Sequence, residues 1–137
     1  MSPFAYPPRP AGAGAPSAAA AAARRSPYLT DAVGTASPAR LVTMLYDRLL
    51  VDLNRAGAAL AADDPAASRD ALVHAQEIVL ELKAGLRPAA WSGGPALDAL
   101  YSFLHSELVA ANVTADPGKV TSCRAVVEPL ADAWHQA

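Results

Sequence analysis

Four stretches of the chain place apolar side chains at the spacing of an α-helix buried along one side. In the first, Leu41, Val42, Leu45, Tyr46, Leu49, Leu50 and Leu53 advance by steps of one and three. Leu72, Ala75, Val79, Leu82 and Leu86 draw a second stripe, and Leu97, Leu100, Tyr101, Leu104, Leu108 and Ala111 a third. Val120, Cys123, Val127, Leu130 and Trp134 draw the fourth, at alternating steps of three and four. Steps of this size return to one face of a helix with 3.6 residues per turn, so each stripe predicts an amphipathic helix.

The punctuation between the stripes agrees with that count. Pro38, Pro65, Pro95 and Pro117 each follow a residue suited to a helix N-cap, namely Ser37, Asp64, Gly94 and Asp116. Proline is favoured at the first helical position because the N–H it lacks would have no partner there. Helices of about 20 residues are roughly 30 Å long, and loops as short as 61–64 and 113–116 force neighbours to run back beside each other. The expected fold is an all-α antiparallel four-helix bundle. Pro129 falls inside the fourth stripe and cannot donate to the carbonyl of Ala125, so that helix is expected to bend there or to end near Glu128 and restart.

Before Ser26 the apolar pattern is lost, and the chain is Ala, Gly and Pro with scattered Arg. Such a composition buries too little surface to offset its ordering entropy. Residues 1–25 are therefore expected to be a disordered tail, 26–36 an N-terminal arm, and 37–137 the bundle. The 137 residues can enclose one core. Hydrophobic residues reach 53% only because alanine is so common, which leaves Leu, Val, Tyr and Trp to make that core.

Charge narrows the partners. The formal net charge of −2 divides into +2 on residues 1–36 and −4 on the rest, with no basic stripe. A phosphate backbone would find no electrostatic footprint, so no nucleic acid is expected. Cys123 stands alone, without a second thiol for a disulfide or a CxxC site, which suits a reducing, cytoplasmic compartment. The alanine run 18–23 is followed by Arg24 and Arg25, whereas a secretory signal carries its charges first. No window of about 18 strongly apolar residues is present, so no membrane insertion is expected.

Candidate chemistry is sparse. His74 and Glu77 lie three apart, but a carboxylate-bridged metal bundle needs a second such pair and two further glutamates. The expectation is a solvated face, with His105 and His135 as surface histidines. Asp63 with Asp64 and Glu77 with Glu81 read as cap and surface carboxylates, and Gly93-Gly94 as a plain turn. Neither catalytic residues, a metal nor a cofactor is expected. Each helix does carry apolar residues off its seam: Met44 and Val51, Val73 and Leu80, and Phe103 beside Glu107. Either a partner covers them, or an alanine-rich bundle tolerates them singly.

A family comes into view at Thr35. Thr35-Ala36-Ser37-Pro38, Leu41 and Met44-Leu45-Tyr46-Asp47, then Leu100-Tyr101, Ala111-Asn112 with Asp116, and Ala133-Trp134, resemble in order and spacing the FliS family of flagellin export chaperones. Upstream, Tyr28, Leu29 and Val33 resemble that family's short N-terminal arm. Arg48, Ser102-Phe103, the 87–96 loop and Pro129 depart from its pattern.

The resemblance implies a non-enzymatic cytoplasmic chaperone. It would hold the C-terminal segment of flagellin as amphipathic helices in apolar grooves, block premature polymerisation, and present the client to a flagellar export gate component. Met44, Val51, Val73, Leu80 and Phe103 are then the expected client contacts, with Tyr28, Leu29 and Val33 on the arm. The competing reading is a helical adaptor or homodimerisation module with no secreted client; a ligand or metal bundle is a weaker third.

Overall fold

A computed structural model describes residues 37–90 and 92–137; the arm residues Tyr28, Leu29 and Val33, like the 1–25 tail, lie outside the described residues. The described chain is all-helical: α1 (Pro38–Ala61), α2 (Pro65–Gly85), α3 (Gly94–Thr114) and α4 (Pro117–Gln136). One 3₁₀ turn, Pro88–Ala90, lies between α2 and α3. Three caps form as their residue types suggest, since the side chains of Ser37, Asp64 and Asp116 accept from the backbone N–H of Arg40, Ala67 and Gly118. The third start differs from expectation by one residue, with Gly93 as the cap and Gly94 already helical.

Gly94 is more than a turn residue. A Cβ there would stand 2.6 Å from Pro88 Cα and collide with the Pro88 carbonyl, so only glycine lets the 3₁₀ turn lie against the start of α3.

The helices close a ring of contacts in which α1 touches α2 and α4, and α3 touches the same two. Cross-helix bonds fix the pairing order. On α1 and α4, Asp47 meets His135 while Asn54 meets Arg124; on α2 and α3, Gln76 meets Leu108 while Lys83 meets Asp98.

All four apolar stripes converge on one core. At its centre the Tyr46 and Tyr101 hydroxyls lie 2.6 Å apart, and the Trp134 ring tilts over Tyr46 at a centroid distance of 6.3 Å. Burial pushes the Tyr46 phenol up to about 12, against the opposing hydrogen bonds of Tyr101 and Trp134. Leu50, Leu100 and Leu130 are only partly buried, and Ala131 takes the buried place on the α4 seam. The helix α4 runs unbroken across Pro129, which excludes an end near Glu128. Both Pro129 and Ala125 are exposed, so the carbonyl the proline cannot serve lies on the solvent side.

Candidate partner-binding faces

Each seam between neighbouring helices has an outer surface, and the bonds across the seams show which side chains border it. On the α1–α2 seam, Asp52 is fully buried, and His74 donates from Nδ1 to its carboxylate at 2.7 Å. Arg48 approaches the other carboxylate oxygen at 3.6 Å. Desolvation raises the Asp52 pKa above the usual carboxylate range, against the lowering pull of His74, Arg48 and Arg55. His74 is thus a latch between helices, which corrects its expected place on a solvated face. Spacing of three and four residues brings Arg55 and Glu77 to the same border. The α1–α4 seam is polar as well, carrying the Asp47–His135 bond at 2.6 Å and the Asn54–Arg124 bond at 3.0 Å.

The two seams of α3 are different. Between α3 and α4, Glu107 pairs with Lys119 at 3.4 Å. One and two turns before Glu107 come Phe103 and Leu100, and α4 answers with Val126 and Leu130, about two and three turns beyond Lys119; Val113 lies about a third of a turn round α3 from Glu107, on the side of Val109. Phe103 is 50% exposed and Val113 80%.

Between α2 and α3 the surface ends in a cleft of about 120 Å³, bordered by Leu60, Asp63, Asp64, Ser68, Arg69 and Asn112. Val73 lies one turn beyond Arg69 and Leu80 two turns further, while Val109 lies one turn before Asn112. All three apolar side chains are exposed. Both turns at this end contain a non-glycine residue in the left-handed region, Asp63 at φ 55° and Ala115 at φ 52°.

The five candidate contacts therefore do not form one groove. Val73 and Leu80 border α2–α3, Phe103 borders α3–α4, and Met44 and Val51 lie on α1 beside Arg48 and Arg55, with Met44 packed partly into the core. Val109 and Val113 escaped the sequence reading. A one-heptad search finds pairs such as Val73 and Leu80, whereas these two are four apart and share one face of α3.

Among the described residues no group of three or more His, Cys, Asp or Glu could hold a metal, and no helix is long and apolar enough to cross a membrane. Cys123 is buried, and desolvation, with Glu107 nearby, pushes its thiol up to about 11, which keeps it out of the reactive thiolate form.

The family model described as flagellar protein FliS matches residues 19–137. The chain belongs to the FliS family. The flagellar secretion chaperone FliS of Bacillus subtilis (strain 168) is 33% identical over 111 residues, covering 80% of this chain and 82% of that relative. The match to the FliS family begins eight residues before Pro27, where the motif resemblance starts. It takes in all four helices. A chaperone family implies a non-enzymatic role.

Proposed function

We propose that the protein is a cytoplasmic flagellin export chaperone. It takes the C-terminal segment of flagellin as amphipathic helices on its apolar faces, blocks premature polymerisation, and presents the client to a component of the flagellar export gate. The observation that carries this reading is a FliS-family helix bundle with six large apolar side chains exposed among its described residues: Val51, Val73, Leu80, Phe103, Val109 and Val113. Helix-in-groove recognition draws its affinity from anchors of this kind at i, i+3, i+4 and i+7 spacing. The order of the cross-helix bonds supports an antiparallel bundle, whose long parallel grooves suit helical clients.

In this reading Met44, Val51, Val73, Leu80 and Phe103 contact the client, residues 37–137 form the chaperone domain, and 1–25 form a disordered tail. The arm residues Tyr28, Leu29 and Val33 compete with the client for apolar surface. Deleting residues 1–34 should then leave client affinity intact or tighter, and a large loss would make the arm a client contact. The test of the function itself is co-purification with flagellin bearing or lacking its C-terminal helices. Retention only of the intact client is expected. Equal retention, or none, would favour an adaptor or homodimerisation module.

A further inference from the structure

The cleft at the end of the bundle, where α1 ends, α2 begins and α3 ends, has a buried hydroxyl in its wall. Ser68 is only 4% exposed, yet among the described residues its side chain makes no hydrogen bond. Thr43, Thr114 and Thr121 each bond back to the carbonyl four residues earlier, the usual outlet for a hydroxyl on a helix. Ser68 does not, and at its own fourth residue back the Asp64 carbonyl takes only the Ser68 N–H. Buried polar groups are ordinarily hydrogen-bonded, so an unpartnered one lining an open cleft points to a ligand group.

The charged side chains round that hydroxyl are unpaired as well. Among the described residues, the side chains of Asp63, Arg69 and Asn112 make no hydrogen bond or ion pair. Asp64 accepts from the Ala67 N–H through one oxygen, which leaves the other. Arg69 and the two acids are opposite in sign and border the same cleft, but they do not neutralise one another. Elsewhere on α3 such charges do pair, Asp98 with Lys83 at 2.7 Å and Glu107 with Lys119 at 3.4 Å. A simple anion drawn to Arg69 would meet Asp63 and Asp64, and a simple cation drawn to the acids would meet Arg69. A molecule carrying both charges answers both.

We propose that this cleft is a binding site for a small zwitterion, a free α-amino acid with a short side chain. The Arg69 guanidinium, the Asn112 amide and the Ser68 hydroxyl donate to its carboxylate, and its ammonium donates to Asp63 and to the remaining oxygen of Asp64. Its side chain faces the small apolar wall of Leu60, Pro65 and Ala115. The 120 Å³ of the cleft holds about eight waters at roughly 15 Å³ each, room for such a molecule. A ligand seated there ties the α1–α2 turn to the end of α3. The site uses none of the exposed apolar side chains assigned to the client, so it stands or falls independently of the chaperone reading.

The test is an NMR titration of the isotopically labelled full chain with L-alanine, set beside acetate and methylammonium, each of which carries only one of the two charges. L-Alanine should give saturable shifts in the backbone amides of 60–69 and 112–115 and in the Asn112 side-chain amide. It should bind at least about tenfold more tightly than either half-ligand. Shifts that never saturate, or that fall elsewhere on the bundle, would overturn the site. Acetate or methylammonium binding as tightly as L-alanine would overturn the two-charge recognition and leave a simple ion site.

Variants assign the contacts. Arg69→Gln and Asp63→Asn each remove one charge at an exposed position, and asparagine tolerates the left-handed backbone of residue 63 at φ 55°. Each should weaken L-alanine by about threefold to tenfold, and Ser68→Ala by about threefold. Unchanged affinity in all three would overturn the assignment, and the comparison of L-alanine with its half-ligands in the unaltered chain still decides should a variant fail to fold.

Discussion

The seams of α1 and the seams of α3 solve the same packing problem with different chemistry. On α1 the outer border is latched by polar bonds: His74 to buried Asp52, His135 to Asp47, and Arg124 to Asn54. On α3 each border has one ion pair, Lys83–Asp98 or Lys119–Glu107, and the helix also carries Val109, Phe103 and Val113 in open view. A polar border is already satisfied and gains little from being covered, because a partner would have to desolvate charges that water and their neighbours serve well. An apolar border gains about 25 cal/mol for each Å² a partner removes from water. The comparison teaches that one half of this bundle is built to hold itself together and the other half is left with surface to bury.

The largest expected effect comes from the core both halves share. Trp134→Ala should cost roughly 3–5 kcal/mol, because it removes a buried indole from its place over Tyr46. An unchanged thermal midpoint would mean that α4 does not hold the bundle closed.

Next in size is the latch. His74→Ala leaves the Asp52 carboxylate buried with Arg48 at 3.6 Å and the Arg55 charge but no hydrogen bond from His74, and should cost about 3 kcal/mol. Asp52→Leu should stay within about 1 kcal/mol, since the partners left behind are partly exposed and can turn to water. Equal costs in urea unfolding would break the idea that the buried acid is the strained member.

The same acid gives the latch a pH signature. Because its folded-state pKa is raised, Asp52 contributes stability that is full below its unfolded value of about 3.9 and is lost as pH climbs through the folded value. The urea midpoint of the natural chain should therefore fall, relative to that of Asp52→Leu, as pH rises across this acid range. Parallel profiles would refute it.

A smaller effect separates the turns from the helices. Ala115→Gly should stabilise by about 0.5–1 kcal/mol, as relief of roughly 1–2 kcal/mol of left-handed strain exceeds the roughly 0.4–1 kcal/mol of added unfolded-state entropy. A lower thermal midpoint would show that the Ala115 methyl has a packing role at the cleft.

The smallest effect is the sharpest for the comparison. Phe103→Ser should shift stability by no more than about 0.5 kcal/mol, because the side chain is half exposed in the free chain. A loss as large as that of His74→Ala would mean that the α3–α4 border is a structural seam after all.

How much of this could be read beforehand varies with the range of the interaction involved. Helix positions follow from neighbours three or four residues apart and from prolines beside cap residues, which is why Ser37, Asp64 and Asp116 cap as their types suggest. The exposure of Val51, Val73, Leu80 and Phe103 follows from the same local geometry. Asp52 was invisible, because a lone aspartate one residue from an apolar stripe looks like surface until α2 brings His74 to it from 22 residues away. That Asn112, read only as a motif residue, shares a cleft with Arg69 followed from the packing of two helix ends far apart in sequence.

By itself, then, the sequence determined the number of helices, three of their four N-caps, most of the core and the family motifs, all of which depend on periodicity and local backbone chemistry. Tertiary structure decided which borders of those helices meet, and so which charges become latches and which apolar side chains stay open. The physical reason is that a helix's phase fixes where each side chain points around its own axis, whereas only packing against other helices determines what it finds there.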